Sequence, residues 1–354
     1  MITKETYTIE YVNTLQEKYK KDPSLLERVL FAFGLLEAIT RVGMPFIFKG
    51  GTSLMLILDH PLRLSTDIDI LVQPGTDVDH YINEAAKIFP FKTFEEDRRV
   101  GKNNIEKRHF KFIYDSPLRN DDFYILLDIV FADSPYLATQ TCEIKNDLLL
   151  TDSTPITVTV PSPECILGDK LTAFAPHTTG VPFGIDKELE IIKQLFDVAT
   201  LSEKIDNYQN LIATYDRAVL DEIGYRDITA TREDVLRDTI RSCACIIGKG
   251  VYDKDDFPLF VKGIHSIGGH VLSMKYSATI AANQASRVMY LASCMLTGQP
   301  FTPIEDPEPY LQANIGKSQY KKLSYMRSQS PDINVNIKLY KSSKIKMYNF
   351  NYLI

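Results

Sequence analysis

Arg63-Leu64-Ser65-Thr66-Asp67-Ile68-Asp69-Ile70-Leu71-Val72 decides how this chain of 354 residues folds. From Thr66 onward the side chains alternate, with Ile68, Ile70 and Val72 on one face and Asp67, Asp69 and Leu71 on the other. Side chains on a strand repeat every second residue, so the pattern predicts a half-buried strand that presents both carboxylates to one side. Pro74-Gly75 stops it. Upstream, Phe46-Ile47-Phe48 reads as a short buried strand, Gly50-Gly51 as a turn, and Thr52 to Leu58 as a short helix broken by Asp59-His60-Pro61.

Residues 5–20 and 24–42 read as helices. In the second, Leu25, Leu26, Val29, Leu30, Phe33, Leu36 and Ile39 recur at helical spacing before Gly43 and Pro45 end it. Downstream, residues 77–89 predict a helix, and 108–114, 123–131 and 156–160 predict strands. This order predicts an α/β core with a mixed sheet rather than a regular doubly wound one. After Pro161-Ser162-Pro163 the pattern turns helical, over 164–174, 187–201, 204–223, 231–248 and 277–297. The expected organisation is an α/β core over 1–160, an α-helical domain over 161–316 and a basic, aromatic tail over 317–354. The loop Pro176 to Pro182 falls close enough to Lys170 in sequence to share a site with it.

Composition excludes several function classes. Hydrophobic residues make up 44% and charged residues 24%, which is ordinary for a globular protein. No apolar run approaches the roughly 20 residues a membrane span needs, and Met1-Ile2-Thr3-Lys4-Glu5 lacks a signal pattern. A cytoplasmic protein with no membrane partner is expected. The five cysteines lack zinc or disulfide spacing and read as buried thiols. No histidine has metal-ligand spacing and no serine a nucleophile-elbow context.

The net charge of −6 hides an asymmetry: the tail carries Lys317, Lys321, Lys322, Arg327, Lys338, Lys341, Lys344 and Lys346 against Asp332 alone. Among these stand Tyr320, Tyr325, Tyr340, Tyr348, Phe350 and Tyr352. Cations beside stacking rings suit single-stranded RNA, although tyrosines packing on the helical domain give the same pattern. Arg98, Arg99, Lys102, Lys107, Arg108 and Lys111 form a second basic stretch, read either as an RNA-backbone contact or as a solvated edge strand.

Two carboxylates on one side of a strand can hold divalent metal ions against a triphosphate, and glycine amides at a helix N-terminus can hold the phosphates. Lys49, Gly50, Gly51, Thr52 and Ser53 are the candidate phosphate cradle, with Arg63 and Ser65 positioning phosphates or the Asp67 carboxylate. Asp128, alone in the apolar Leu126-Leu127-Asp128-Ile129-Val130-Phe131, is the candidate third carboxylate. There it would assist the metals bound by Asp67 and Asp69 or deprotonate the acceptor; a strand-end residue facing solvent is the plain alternative.

Phe48-Lys49-Gly50-Gly51-Thr52-Ser53-Leu54 followed by Arg63 to Ile70 resembles the AbiEii/AbiGii toxin family of nucleotidyltransferases, within the DNA polymerase β-like superfamily. The resemblance implies a nucleotidyltransferase core, Mg²⁺, an NTP co-substrate, an RNA acceptor such as a tRNA 3′ end, and a cognate antitoxin in a type IV or abortive-infection system. By the same resemblance, Lys170 in Leu167-Gly168-Asp169-Lys170-Leu171-Thr172-Ala173 would contact the triphosphate. Asp197, in Lys193-Gln194-Leu195-Phe196-Asp197, would complete the site by orienting Lys170. The family's Arg-Asp pair before that aspartate is replaced here by Lys193-Gln194. A small-molecule or protein acceptor remains open at this stage, as does a non-catalytic nucleotide- or RNA-binding role.

Overall fold

The computed structural model describes residues 1–97, 106–303 and 322–323. It divides into two compact units, the first built from Met1–Ile166 and Gly268–Lys275, the second from Leu167–Ile267 and the described residues from Tyr276 onward.

In the first unit, α1 (Ile9–Tyr19) and α2 (Pro23–Arg41) precede a sheet. Helix α2 starts where its pattern says it should: Asp22 accepts a hydrogen bond from the Leu25 amide, and Pro23 occupies the first turn, where a missing N–H costs nothing. The strands and helices that follow are β1 (Ile47–Lys49), α3 (Gly50–Ile57), β2 (Ile68–Val72), α4 (Asp79–Ala85), β3 (Phe91–Glu96), β4 (Glu106–Ser116) and β5 (Asp121–Phe131). The sheet has the order β1-β2-β5-β4-β3, with β2 and β5 parallel and every other pair antiparallel. It is the mixed sheet that the element order predicts. β6 (Thr139–Glu143) and β7 (Thr157–Pro161) form a separate antiparallel pair.

One face of the sheet carries the core. Ile68, Ile70 and Val72 of β2, Ile125, Leu127, Ile129 and Phe131 of β5, and Phe110, Phe112 and Tyr114 of β4 are buried against α2. Phe31 of α2 stacks on Tyr114 at 3.7 Å between ring centres. Beside it the fully buried Glu27 accepts hydrogen bonds from Tyr114 Oη, Ser116 Oγ and the Leu118 amide, so this buried carboxylate is satisfied and ties α2 to the β4–β5 hairpin. The other face is polar in its middle. At one end it carries a small apolar cluster of Leu71, Tyr136 and Cys165.

The second unit is helical. α5 (Pro163–Ala173) enters it, followed by α6 (Glu188–Leu201), α7 (Tyr208–Arg226), α8 (Arg232–Ile247), α9 (Asp256–Ile267) and α10 (Ala278–Thr297). A capping box, Thr231 with Asp234, starts α8. Gly263 of α9 lies so close to the Glu188 carbonyl that a Cβ would stand 2.3 Å from it, which accounts for a glycine inside that helix. No helix among the described residues is long and apolar enough to cross a membrane.

Several elements differ from expectation. β3, β6 and α9 were not predicted, the helix expected over 77–89 is only Asp79–Ala85, and that expected over 204–223 is Tyr208–Arg226. Because β3 pairs with β4, the strand carrying Arg108 and Lys111 is interior to the sheet and not an edge. Arg98, Arg99 and Lys102, and the tail apart from Lys322 and Leu323, lie outside the described residues. Cys165, Cys243, Cys245 and Cys294 are buried thiols outside any disulfide, whereas Cys142 is only half-buried; burial pushes Cys245 up to about 12 and Cys294 to about 11, away from thiolate chemistry.

Candidate active site

The strand register gathers the charged residues into one line. Lys49 of β1 is opposite Asp69 of β2, Asp69 is opposite Asp128 of β5, and Asp128 is opposite His109 of β4. Cross-strand partners share a face, with Cβ atoms roughly 5 Å apart, so a cation, two carboxylates and an imidazole form a row on the face away from the main core. Asp128 is therefore no strand-end residue: it sits mid-strand beside Asp69. His109 Nδ1 is 2.6 Å from Asp128 Oδ1.

The glycines fit this row closely. Gly50 has φ +79°, the left-handed region, and a Cβ there would stand 2.1 Å from Asp69 Oδ2. A Cβ on Gly51 would meet Arg63 Nη2 at 2.6 Å and Ser65 Oγ at 2.9 Å, so both predicted positioning residues lie directly over the turn. Thr52 and Ser53 are fully buried; Thr52 Oγ1 donates to the Asp67 carbonyl at 2.6 Å and Ser53 Oγ to the Gly50 carbonyl at 2.9 Å. Their hydroxyl protons are thus used within the fold, and what this turn can offer a phosphate is main-chain N–H. The N-cap residue of α3, Lys49, makes no side-chain cap hydrogen bond, and a helix N-terminus suits an anion.

Asp67 stands one residue before β2, with Arg28 Nη2 of α2 at 3.6 Å and Thr66 Oγ1 at 3.3 Å. With Asp67 half exposed, this pair contributes roughly 0–1 kcal/mol and can yield to a stronger cation. The loop carrying Arg63 is fastened from far along the chain: the Leu64 amide donates to the His270 carbonyl and the Leu272 amide to the Leu62 carbonyl. The short segment Gly268–Lys275 therefore belongs to the first unit and holds the Arg63 loop in register.

In the second unit Lys170 Nζ is 2.7 Å from Asp197 Oδ2, with the two side chains 8% and 1% exposed. Gln194 Oε1 accepts from Lys170 at 3.4 Å, so the residue that departs from the family's pattern also touches this lysine. The Pro176–Pro182 loop folds back on α5 through Gly180 N to Ala175 O and Thr179 Oγ1 to Thr172 O. Its His177 amide and Thr178 hydroxyl are spent on Asp238.

Arg28 and His109 are the two residues that sequence reading missed. Arg28 lies beside Glu27 on a helix whose pattern reads as a core element. His109 lies in a strand whose outward face was readable, but its pairing with Asp128 was not. Arg108, counted in the basic stretch, is neutralised by Glu96 and Asp79, each at 2.7 Å.

A helix N-terminus at the glycine turn and carboxylates on the neighbouring strands make an arrangement that suits nucleotidyl transfer. The family is equally plain: the model of the AbiEii toxin nucleotidyl transferases of type IV toxin–antitoxin systems matches residues 35–246, more than half of the chain, and the chain belongs to that family. Membership implies a nucleotide substrate, a divalent metal and a cognate antitoxin. Among solved structures, JHP933 from Helicobacter pylori is 13% identical with a TM-score of 0.42, covering 77% of this chain and 93% of its own. An H. pylori candidate nucleotidyltransferase is 13% identical with a TM-score of 0.43, covering 77% and 96%. No curated protein matches the chain.

The donor set suits a hard divalent ion. Asp69 and Asp128 are adjacent carboxylates, and the close fit of Gly50 against Asp69 keeps one of them at the mouth of the glycine turn. Among the described residues no three His, Cys, Asp or Glu side chains form a ready cage. Mg²⁺ does not need one, since it takes one or two carboxylates and fills its shell with waters and substrate phosphates.

Proposed function

We propose that this protein is the toxin of a type IV toxin–antitoxin system, a cytoplasmic Mg²⁺-dependent enzyme that transfers NMP from an NTP to an RNA hydroxyl, with a tRNA 3′ end as acceptor. The observation that carries this reading is the row Lys49, Asp69, Asp128 and His109 lying against the Gly50–Gly51 turn.

In the reaction, the acceptor hydroxyl oxygen bonds to the α-phosphorus, the bond to the bridging oxygen of pyrophosphate breaks, and the hydroxyl proton goes to solvent. Asp67, Asp69 and Asp128 would hold the metal, which when bound stabilises charge on the attacking and leaving oxygens. The amides of Gly50, Gly51, Thr52 and Ser53 would receive phosphate oxygens at the N-terminus of α3. Arg63, seated over Gly51 and fastened by Gly268–Lys275, supplies a fixed cation beside them, with Ser65 next to it. Lys170, oriented by Asp197, is the cation that the reading assigns to the triphosphate. The RNA acceptor is supported by the cationic, tyrosine-rich composition of residues 317–354.

Incubation of the purified protein with Mg²⁺, each α-labelled NTP in turn and total bacterial RNA tests this. The expected result is label in the tRNA band with one or two of the NTPs. Label on protein or on a small molecule would overturn the acceptor, and no transfer to anything would overturn the activity.

A further inference from the structure

We propose that His109 is a positioning residue for the metal site, holding the Asp128 carboxylate so that its second oxygen stays available to the metal. The inference rests on the nucleotidyltransferase reading of the row above and assigns a role to a residue outside the glycine and Asp-x-Asp motifs. His109 and Asp128 are register partners on adjacent antiparallel strands, and His109 Nδ1 lies 2.6 Å from Asp128 Oδ1. An ionised carboxylate only accepts, so Nδ1 carries the proton and donates.

The contact is specific in its geometry. A free aspartate samples several rotamers, and each departure of Asp128 from the row would remove a hard oxygen from beside Asp69. The imidazole removes that freedom from one side, because β4 fixes the His109 backbone and its side chain is only 16% exposed. Gly50 makes the corresponding provision for Asp69 by lacking a side chain: Asp69 Oδ2 fills space only 2.1 Å from where a Cβ on Gly50 would stand. The two carboxylates are thus accommodated from opposite ends of the row, Asp128 by a hydrogen bond and Asp69 by the space that Gly50 leaves. Hydrogen bonds to metal-ligating carboxylates typically alter metal affinity by about 10–100-fold when removed.

The residue types make a discriminating test possible. Asparagine places an amide N–H where imidazole Nδ1 stands, whereas glutamine places its amide one bond further out, in the position of Nε2. His109→Asn should therefore preserve the hydrogen bond, and His109→Gln and His109→Leu should lose it. The measurement is Mn²⁺ binding, read from the EPR signal of the free ion, in the presence of a non-hydrolysable NTP analogue. It is accompanied by the Mg²⁺ concentration that gives half-maximal transfer.

We expect His109→Gln and His109→Leu to weaken Mn²⁺ binding about tenfold or more and to raise the Mg²⁺ requirement in step, with His109→Asn within about threefold of wild type. Should His109→Leu fail to fold, the Asn–Gln contrast still decides the matter. Equal Mn²⁺ binding in the Asn, Gln and wild-type proteins would overturn the role of His109 alone, provided that Asp67→Ala, Asp69→Ala abolishes binding. Mn²⁺ binding that the Asp67→Ala, Asp69→Ala variant retains unchanged would instead overturn the underlying site, and the role of His109 with it.

Discussion

Asp67 in the first unit faces Arg28 at 3.6 Å with about half of its side chain exposed, whereas Lys170 in the second unit is 2.7 Å from an Asp197 that is 1% exposed. Both are acid–base pairs of candidate catalytic residues, yet their energetics differ. An exposed pair contributes little, so the Asp67–Arg28 contact can yield to a metal at small cost to the fold. A buried pair has lost its hydration, and removing one partner strands a charge without water. Function and stability should therefore separate in the first unit and remain entangled in the second.

The largest effect that could break this comparison is on activity in the first unit. Asp67→Ala with Asp69→Ala should lower transfer about 10³-fold or more while leaving the melting temperature near that of wild type, checked by labelled-NTP transfer and calorimetry. A large fall in melting temperature would mean that these carboxylates also support the fold.

For the second unit, Asp197→Ala should cost about 3–5 kcal/mol in denaturant unfolding, by leaving Lys170 buried and unpaired. The combination Lys170→Met, Asp197→Leu sharpens the point. It should recover most of that stability, because apolar side chains of similar size often replace a buried ion pair without loss, and it should recover no transfer. If transfer returned along with stability, Lys170 would be a structural cation only.

Gly50→Ala should cost about 1–3 kcal/mol, from the left-handed backbone alone, and should also displace Asp69. Gly51→Ala lacks the backbone strain and meets only the ends of Arg63 and Ser65, so it should raise the KM for NTP with little change in melting temperature.

The smallest effect concerns pH. Burial holds the Asp238 carboxyl above its ordinary value in the folded protein. The folded state thus keeps this proton to higher pH than the unfolded chain does. The contribution to stability is fullest below the ordinary carboxylate range and is lost as pH rises through the folded-state value. Asp238→Asn keeps an acceptor for the His177 amide and the Thr178 hydroxyl, so it should flatten that slope and change stability at neutral pH by only about 1 kcal/mol.

Where the sequence was legible, a single periodicity decided the matter. β2 shows in the alternation of Ile68, Ile70 and Val72 with the aspartates, and Asp128 shows because it is the lone charge in the apolar run over 123–131. β3 did not show, since Phe91-Lys92-Thr93-Phe94-Glu95-Glu96 buries only Phe91 fully and its register shifts between Phe91 and Thr93, which breaks the alternation. β6 has almost no apolar residue and owes its existence to pairing with β7. The contact of His109 with Asp128 depends on cross-strand register, and the fastening of the Arg63 loop depends on a segment some 200 residues away. Neither leaves a local signal. The glycine turn and the Asp-x-Asp strand were legible because each rests on backbone geometry that only certain residues permit.

The most direct test of the account is the anomalous scattering of Mn²⁺ in crystals grown with a non-hydrolysable NTP. The account predicts a peak within ~2.2 Å of carboxylate oxygens of Asp67 and Asp69, with phosphate at the N-terminus of α3. Mn²⁺ ordered elsewhere, with Asp67 still turned to Arg28 and the triphosphate away from Gly50 and Gly51, would contradict it.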